Sequence, residues 1–108
     1  MKRLAMLSLL LATPANAEVA SFYTVSEQGR ATASGIPLDD AKFTCAHKSL
    51  KFGTRLRLTR AGKTVDCIVT DRGPFIAGRD LDLSVATAKA LGITAAVGVA
   101  RVTVRVIA

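Results

Sequence analysis

The chain has 108 residues, with 15 Lys and Arg against 8 Asp and Glu and a single histidine, a net charge of +7. That length holds one small domain with a marginal core. The positive balance points to acidic or polyanionic surroundings, but four Phe and one Tyr, scattered and without Trp, offer nucleic acid no stacking platform.

Residues 1–17 have the order of a secretory signal. Lys2 and Arg3 form a basic start, Leu4 to Leu11 an apolar run, and Ala15-Asn16-Ala17 a small-residue cleavage site. The run is too short to span a bilayer, so no membrane span is expected. No cysteine stands at the cleavage site, so no lipid anchor is expected either. The expected product is an exported domain, periplasmic or extracellular, covering residues 18–108. Removing Lys2 and Arg3 takes the 15 basic residues to 13 against 8 acidic, a net charge of about +5. For an exported chain the natural polyanion is a carboxylate-bearing cell-wall polymer rather than nucleic acid.

Residues 19–24 are β-prone and predict a first strand. Residues 25–40 are polar and turn-rich, with Gly29, Gly35 and Pro37 as breakers. Asp39 and Asp40 could cap a short helical turn toward Phe43. Arg55 to Arg60 alternates basic and apolar, as a half-buried strand does. Ala61-Gly62-Lys63 predicts a hairpin turn, and Thr64 to Thr70 the return strand, with Val65, Cys67 and Val69 on one face. Ser84 can cap a short helix through Leu91, which Gly92 would stop. Val102, Val104 and Val106 alternate with polar residues and predict a final strand. Many short strands, one or two short helices and frequent turns imply an all-β fold, a small barrel closed on itself.

Asp71 ends the return strand and opens the turn Arg72-Gly73-Pro74-Phe75. An aspartate there ordinarily bonds nearby backbone amides. His47 is the only histidine, Asp82 lies just before the Ser84 cap, and Asp80 reads as a solvated charge. Arg55 and Arg57 share one strand face, either solvated or a basic strip for an anionic polymer. Cys45 and Cys67 are an even pair, which in an oxidising compartment favours a disulfide over two buried thiols or a redox pair. One histidine with no third sulfur nearby gives no zinc site. No Ser/His/Asp order, phosphate-binding loop or dinucleotide loop is present, so no metal and no cofactor is expected.

Seven segments taken together, in order and spacing, resemble the double-psi β-barrel domain of the rare lipoprotein A (RlpA) family. They are Ala20-Ser21-Phe22-Tyr23, Thr32-Ala33-Ser34-Gly35, Ala46-His47-Lys48-Ser49-Leu50, Phe52-Gly53-Thr54, Thr70-Asp71-Arg72-Gly73-Pro74-Phe75, Gly78-Arg79 and Asp82-Leu83-Ser84. The resemblance covers about Ala20 to Val106. It implies a six-stranded double-psi barrel, similar to expansin and barwin-like barrels. It also implies endolytic lytic transglycosylase chemistry on peptidoglycan, favouring strands stripped of stem peptides. Such enzymes cleave between N-acetylmuramic acid and N-acetylglucosamine without water and leave 1,6-anhydro ends. On this resemblance Asp71 is the acid/base and His47 assists it. Arg72, Asp82 and Tyr23 bind substrate, and the protein is expected to be monomeric.

The chain departs from the family at Ile36, where the usual segment carries a glutamate, a second proposed catalytic acid. Isoleucine neither donates nor accepts a proton. Asp39 and Asp40 are the nearest carboxylates in sequence. The departure motivates an alternative: a non-catalytic peptidoglycan-binding or expansin-like wall-loosening module.

Overall fold

The computed structural model describes residues 15–108. Six strands form a closed barrel in the order β1-β5-β2-β4-β3-β6. They are β1 (Asn16–Phe22), β2 (Thr44–His47), β3 (Arg55–Arg60), β4 (Lys63–Asp71), β5 (Leu81–Leu83) and β6 (Ala100–Val106). One-turn helix α1 (Val25–Gln28) follows β1, and α2 (Val85–Ala90) follows β5. Two strand pairs are parallel, β1 with β5 and β2 with β4. Parallel neighbours need long crossovers, and these two crossovers give the double-psi barrel.

The predicted hairpin joins β3 to β4. Ala61 and Gly62 both have positive φ, 49° and 78°, the pair of left-handed residues that a tight two-residue hairpin requires. The core is built from inward-facing residues of alternating strands: Leu56 and Leu58, Cys67 and Val69, Val102 and Val104, with Leu81 and Leu83 across from them. Ala88, Leu91 and Ile93 close one side. Each fully buried Leu stabilises such a core by about 1.5–3 kcal/mol. The Cys45–Cys67 disulfide lies inside it with Cα atoms 5.9 Å apart, tying β2 to β4.

Ser84 caps α2 as expected, accepting from the Thr87 amide at 3.3 Å. Its hydroxyl also donates to the Lys42 carbonyl at 2.7 Å, so one side chain fastens the helix to the approach of β2. Three elements have no signature in the sequence reading. β2 and β5 are four and three residues long, too short for an alternating pattern, and exist because strands flank them on both sides. α1 is a single turn capped by Thr24, which accepts from the Glu27 amide at 3.1 Å. No helix forms at Asp39 and Asp40, only a single turn closed by the Lys42 amide donating to the Asp39 carbonyl at 3.0 Å. Asp39 instead accepts from the Ala41 amide at 2.9 Å and makes a side-chain turn, while Asp40 accepts from the Val25 amide at 3.0 Å.

Most of the residues read as a signal, 1–14, lie outside the described ones. Asn16 and Ala17 begin β1 and face Val104 and Thr103 of β6. Cleavage after Ala17 would trim that ladder by these two positions and keep Glu18, Val19 and Ala20 paired. Among the described residues no helix is long and apolar enough to cross a membrane.

Candidate active site

Alternation along β4 puts Cys67 and Val69 in the core, and by the same parity Asp71 should follow them inward. It does not, because the register slips beside it. Cys45 faces Val69, but the next residue, Ala46, faces Asp71, so Thr70 is the extra residue of a bulge. A bulge re-aims the side chains beyond it. Paired residues share a sheet face, so Asp71 joins Ala46 and leaves the face of Cys45 and Val69. Ala46 packs with Tyr23 and Leu38 in a second, smaller apolar cluster outside the main core.

The register then runs across four strands. Ser21 of β1 faces Asp82 of β5, Asp82 faces Ala46 of β2, and Ala46 faces Asp71 of β4. One transverse row thus carries Ser21, Asp82, Ala46 and Asp71 on one surface. The two aspartates are two strand spacings apart, roughly 10 Å at the backbone. Only a methyl group stands between them.

The two carboxylates are held differently. Asp71 is 8% exposed. Its Oδ1 accepts from the Ala33 amide at 2.9 Å and from its own neighbour's amide, Arg72, at 2.9 Å. Its Oδ2 accepts from Gln28 Nε2 at 3.2 Å and Tyr23 Oη at 3.4 Å. Each of its oxygens thus accepts from two donors. Asp82 receives one side-chain donor among the described residues, Ser21 Oγ on Oδ1 at 2.8 Å. Burial pushes its pKa up, the Ser21 bond and Arg79 pull against that, and the charges of Asp71 and Glu27 add to it. Tyr23 is raised well beyond the ordinary phenol range, by burial and then by Asp71 and Asp82. It stays protonated and donates to Asp71.

His47 lies apart from this row. Its Nδ1 accepts from the amides of Ser49 and Leu50, both at 3.0 Å. That leaves Nε2 as the protonated nitrogen of a neutral ring. Burial and the Arg72 guanidinium lower its pKa, against a smaller opposing pull from Asp80. The ring makes no hydrogen bond to Asp71 or Asp82 among the described residues. Arg72 points away from the Asp71 carboxylate. Its Nη1 donates to the carbonyls of His47 (3.2 Å) and Leu50 (2.8 Å), and its guanidinium sits 4.0 Å from the Phe52 ring centroid. Arg72 therefore fastens the His47–Leu50 turn to the end of β4. Asp80 is not merely solvated: it accepts from the Val19 amide at 2.9 Å. Among the described residues no cluster could hold a metal ion.

A family profile described as lytic transglycolase matches residues 15–104. The chain belongs to the lytic transglycolase family. Curated relatives of the chain carry matching names. A protein of Treponema pallidum, "Probable endolytic peptidoglycan transglycosylase RlpA", is 47% identical over 87 residues, 79% of this chain and 27% of the relative. The "Endolytic peptidoglycan transglycosylase RlpA" of Pseudomonas aeruginosa is 46% identical over 87 residues, 79% of this chain and 25% of that protein. The chain thus spans about a quarter of the length of these relatives. Among solved structures, a Streptomyces papain inhibitor superposes with a TM-score of 0.73 at 19% identity, covering 91% of this chain and 98% of its own. A Clavibacter michiganensis expansin, solved with cellohexaose, gives 0.69 at 19% identity over 87% of this chain and 50% of its own. These two likenesses establish the barrel fold.

In this lytic transglycolase domain the position of the family glutamate, Ile36, is 55% exposed, and its loop grips Asp71 through the Ala33 amide. Asp39 and Asp40 are committed to backbone amides and do not replace the missing acid. Three residues of the site escaped the sequence reading: Ser21, Gln28 and Glu27. Nothing in their spacing marks them, because β1 meets β5 only after a crossover of some sixty residues, |i−j| = 61 between Ser21 and Asp82.

The second cluster carries a prediction. Leu38 is 1% exposed beneath Tyr23 and Ala46. Leu38→Ala is expected to cost about 2–5 kcal/mol in urea denaturation, and to lower activity further by loosening the loop on Asp71. A cost below roughly 1 kcal/mol would mean that this cluster does not brace the site.

Proposed function

We propose that this protein is an exported, monomeric lytic transglycosylase that cuts peptidoglycan glycan strands internally, between N-acetylmuramic acid and N-acetylglucosamine, leaving 1,6-anhydro ends. The observation that carries the reading is the row of Ser21, Asp82, Ala46 and Asp71, with one carboxyl whose pKa burial raises and one held by four donors on either side of the buried Ala46. The disulfide supports an oxidising compartment, and the family and its named relatives support the substrate.

The sequence reading gave the proton transfers to Asp71. We assign them instead to Asp82. A general acid must hold a proton near neutral pH, which burial favours at Asp82. Asp82 gives its proton to the glycosidic oxygen as the bond to the anomeric carbon breaks. Asp71, fixed by four donors, faces the positive charge that develops on the ring. Asp82, now a base, takes the proton of the C6 hydroxyl as that oxygen closes on the anomeric carbon. No water enters, and the enzyme returns to its starting protonation. The test is mass analysis of products from purified, denuded strands. Anhydro products, lighter by one water than hydrolysis products, are expected; none at high concentration of folded protein would reject the reading.

The assignment has a pH signature. The Ser21 hydroxyl stabilises ionised Asp82 and so holds its pKa down. Ser21→Ala removes that hold, so the alkaline limb of the kcat profile should move to higher pH. A limb that stays in place, or moves to lower pH, would separate Asp82 from the proton transfer.

Ile36 favours a second reading, a wall-binding or wall-loosening module without catalysis. Sacculus binding that survives Asp71→Asn and Asp82→Asn, with no product released by the native protein, would support it.

A further inference from the structure

A polar hollow of about 590 Å³ opens at the Ser21 end of the row, and its lining includes Ser21, Phe22, Ser26, Glu27, Arg79 and Gly98. Ser21 sets the hollow against the row, because the same hydroxyl donates to Asp82 at 2.8 Å. The charges of Arg79 and Glu27 both reach Asp82.

Arg79 differs from the other arginines among the described residues. Arg57 pairs with Asp66, Arg60 donates to the Leu91 carbonyl, and Arg72 is committed to the turn at His47. Arg30, Arg55, Arg101 and Arg105 are exposed and solvated. Arg79 is half-buried, yet its guanidinium makes no ion pair and no hydrogen bond among the described residues. A guanidinium partly withdrawn from water, with its fork of donors free, matches a carboxylate. Glu27 lines the same hollow without pairing to it, and its carboxylate accepts from Thr24 Oγ1 at 3.1 Å.

The glycan supplies such a carboxylate in one place. Its hydroxyls and acetamido groups are neutral, but muramic acid carries a lactyl group. On a stripped strand the lactyl group ends in a free carboxylate. Where a stem peptide is attached, the same carbon is a neutral amide. In the proposed reaction the ring that becomes positive faces Asp71. The leaving N-acetylglucosamine therefore lies on the other side of Asp82, toward Ser21, and the next muramic acid follows it into the hollow. Ser26 and Glu27 suit the hydroxyls and acetamido N–H groups of these sugars.

We propose that Arg79 binds the free lactyl carboxylate of the muramic acid on the leaving side of the cut, which makes the hollow a subsite specific for stripped strands. The proposal rests on the lytic transglycosylase reading and names a residue for the stripped-strand preference that the family resemblance implies.

The experiment compares kcat/KM on stripped strands with free lactyl carboxylates and on the same strands converted to methylamides, for the native protein, Arg79→Gln and Arg79→Lys. The native protein should use the free carboxylates roughly tenfold better, the worth of one charge-assisted contact. Arg79→Gln should bring the ratio to about one, and Arg79→Lys should keep part of it, as a point charge without the fork. Arg79 also pulls on the Asp82 pKa, so the comparison is the ratio within each protein, in which a general change of rate cancels. Equal rates on the two strands, or a ratio unmoved by Arg79→Gln, overturns the proposal while leaving the activity in place. A second readout is independent of turnover: titration of a stripped tetrasaccharide into Asp82→Asn protein, followed by amide shifts. Shifts at residues 21–27, 79 and 95–99 that weaken with the methylamide, and weaken equally in the Arg79→Gln background, support the subsite. They would do so even if no strand were cut, a result that would reject the enzymatic reading alone. Shifts confined to other residues, or equal for carboxylate and methylamide, overturn the proposal.

Discussion

Asp82→Asn is expected to lower glycan cleavage by about 100-fold or more, the usual worth of a positioned general acid, at every pH tested. Asparagine keeps the size and can still accept from Ser21, so the change removes the proton and little else. The same substitution should not unfold the protein. A carboxyl whose pKa is raised in the fold binds more protons there than in the unfolded chain, so native stability falls as pH rises through the interval between the two values. Asn carries no such proton. The variant should therefore be at least as stable as the native protein at neutral pH, and should lose that part of the decline above the ordinary carboxylate range. Asp71→Asn should also be severely impaired, for a different reason. It removes a negative charge that raises the pKa of Asp82, so residual activity should show an alkaline limb displaced to lower pH. Steady-state rates on denuded strands across pH, alongside thermal melts, separate the two. Near-native turnover by Asp82→Asn would return the acid role to Asp71.

Loss of the Cys45–Cys67 bridge has the largest expected effect on the fold. The cysteines are 22 positions apart, and closing such a loop stabilises by about 3 kcal/mol in the chain-entropy model. For a domain this small each kcal/mol is worth about 4–8 °C, so the double Cys→Ala variant should melt roughly 12–24 °C lower. Both side chains are buried, and truncating them leaves space in the core, which pushes in the same direction. The effect should reach the site, because the bridge joins β2 to β4 just before the bulge that turns Asp71 outward. Melting with and without reductant checks the first part. Activity of the reduced protein, below its melting point, checks the second. A melt shifted by only a degree or two would mean that the barrel closure alone holds these strands.

Much of the architecture was readable from residue order. The alternation in Arg55 to Arg60, in Thr64 to Thr70 and at the carboxyl end follows from a barrel with one wet and one buried face. The hairpin residues and the Ser84 cap act over a few neighbours, so their chemistry shows locally. Asp71 was singled out for the same reason: it stands where an apolar strand breaks into a Gly/Pro turn. The ordered set of segments carried the family and the barrel, and the even pair of cysteines behind an export signal carried the disulfide.

What alternation could not tell is which way Asp71 points. Parity along β4 places it with Cys67 and Val69 in the core, and one extra residue at Thr70 reverses that. Nor could spacing join Ser21 to Asp82, or bring Gln28 and Glu27 to the two acids, because those contacts lie across crossovers. Asp82 stood in the sequence only just before the Ser84 cap; the partial burial and the neighbouring charges that raise its pKa come from three strands meeting, and they support the proposed proton-carrying role. Arg72 looked free to meet substrate, and is committed to the turn at His47. Residue types and local order are properties of the chain, so they settled the fold, the bridge and the presence of the acids. Burial, register and the field between charges are properties of packed strands, and only they could raise Asp82 as the candidate proton carrier.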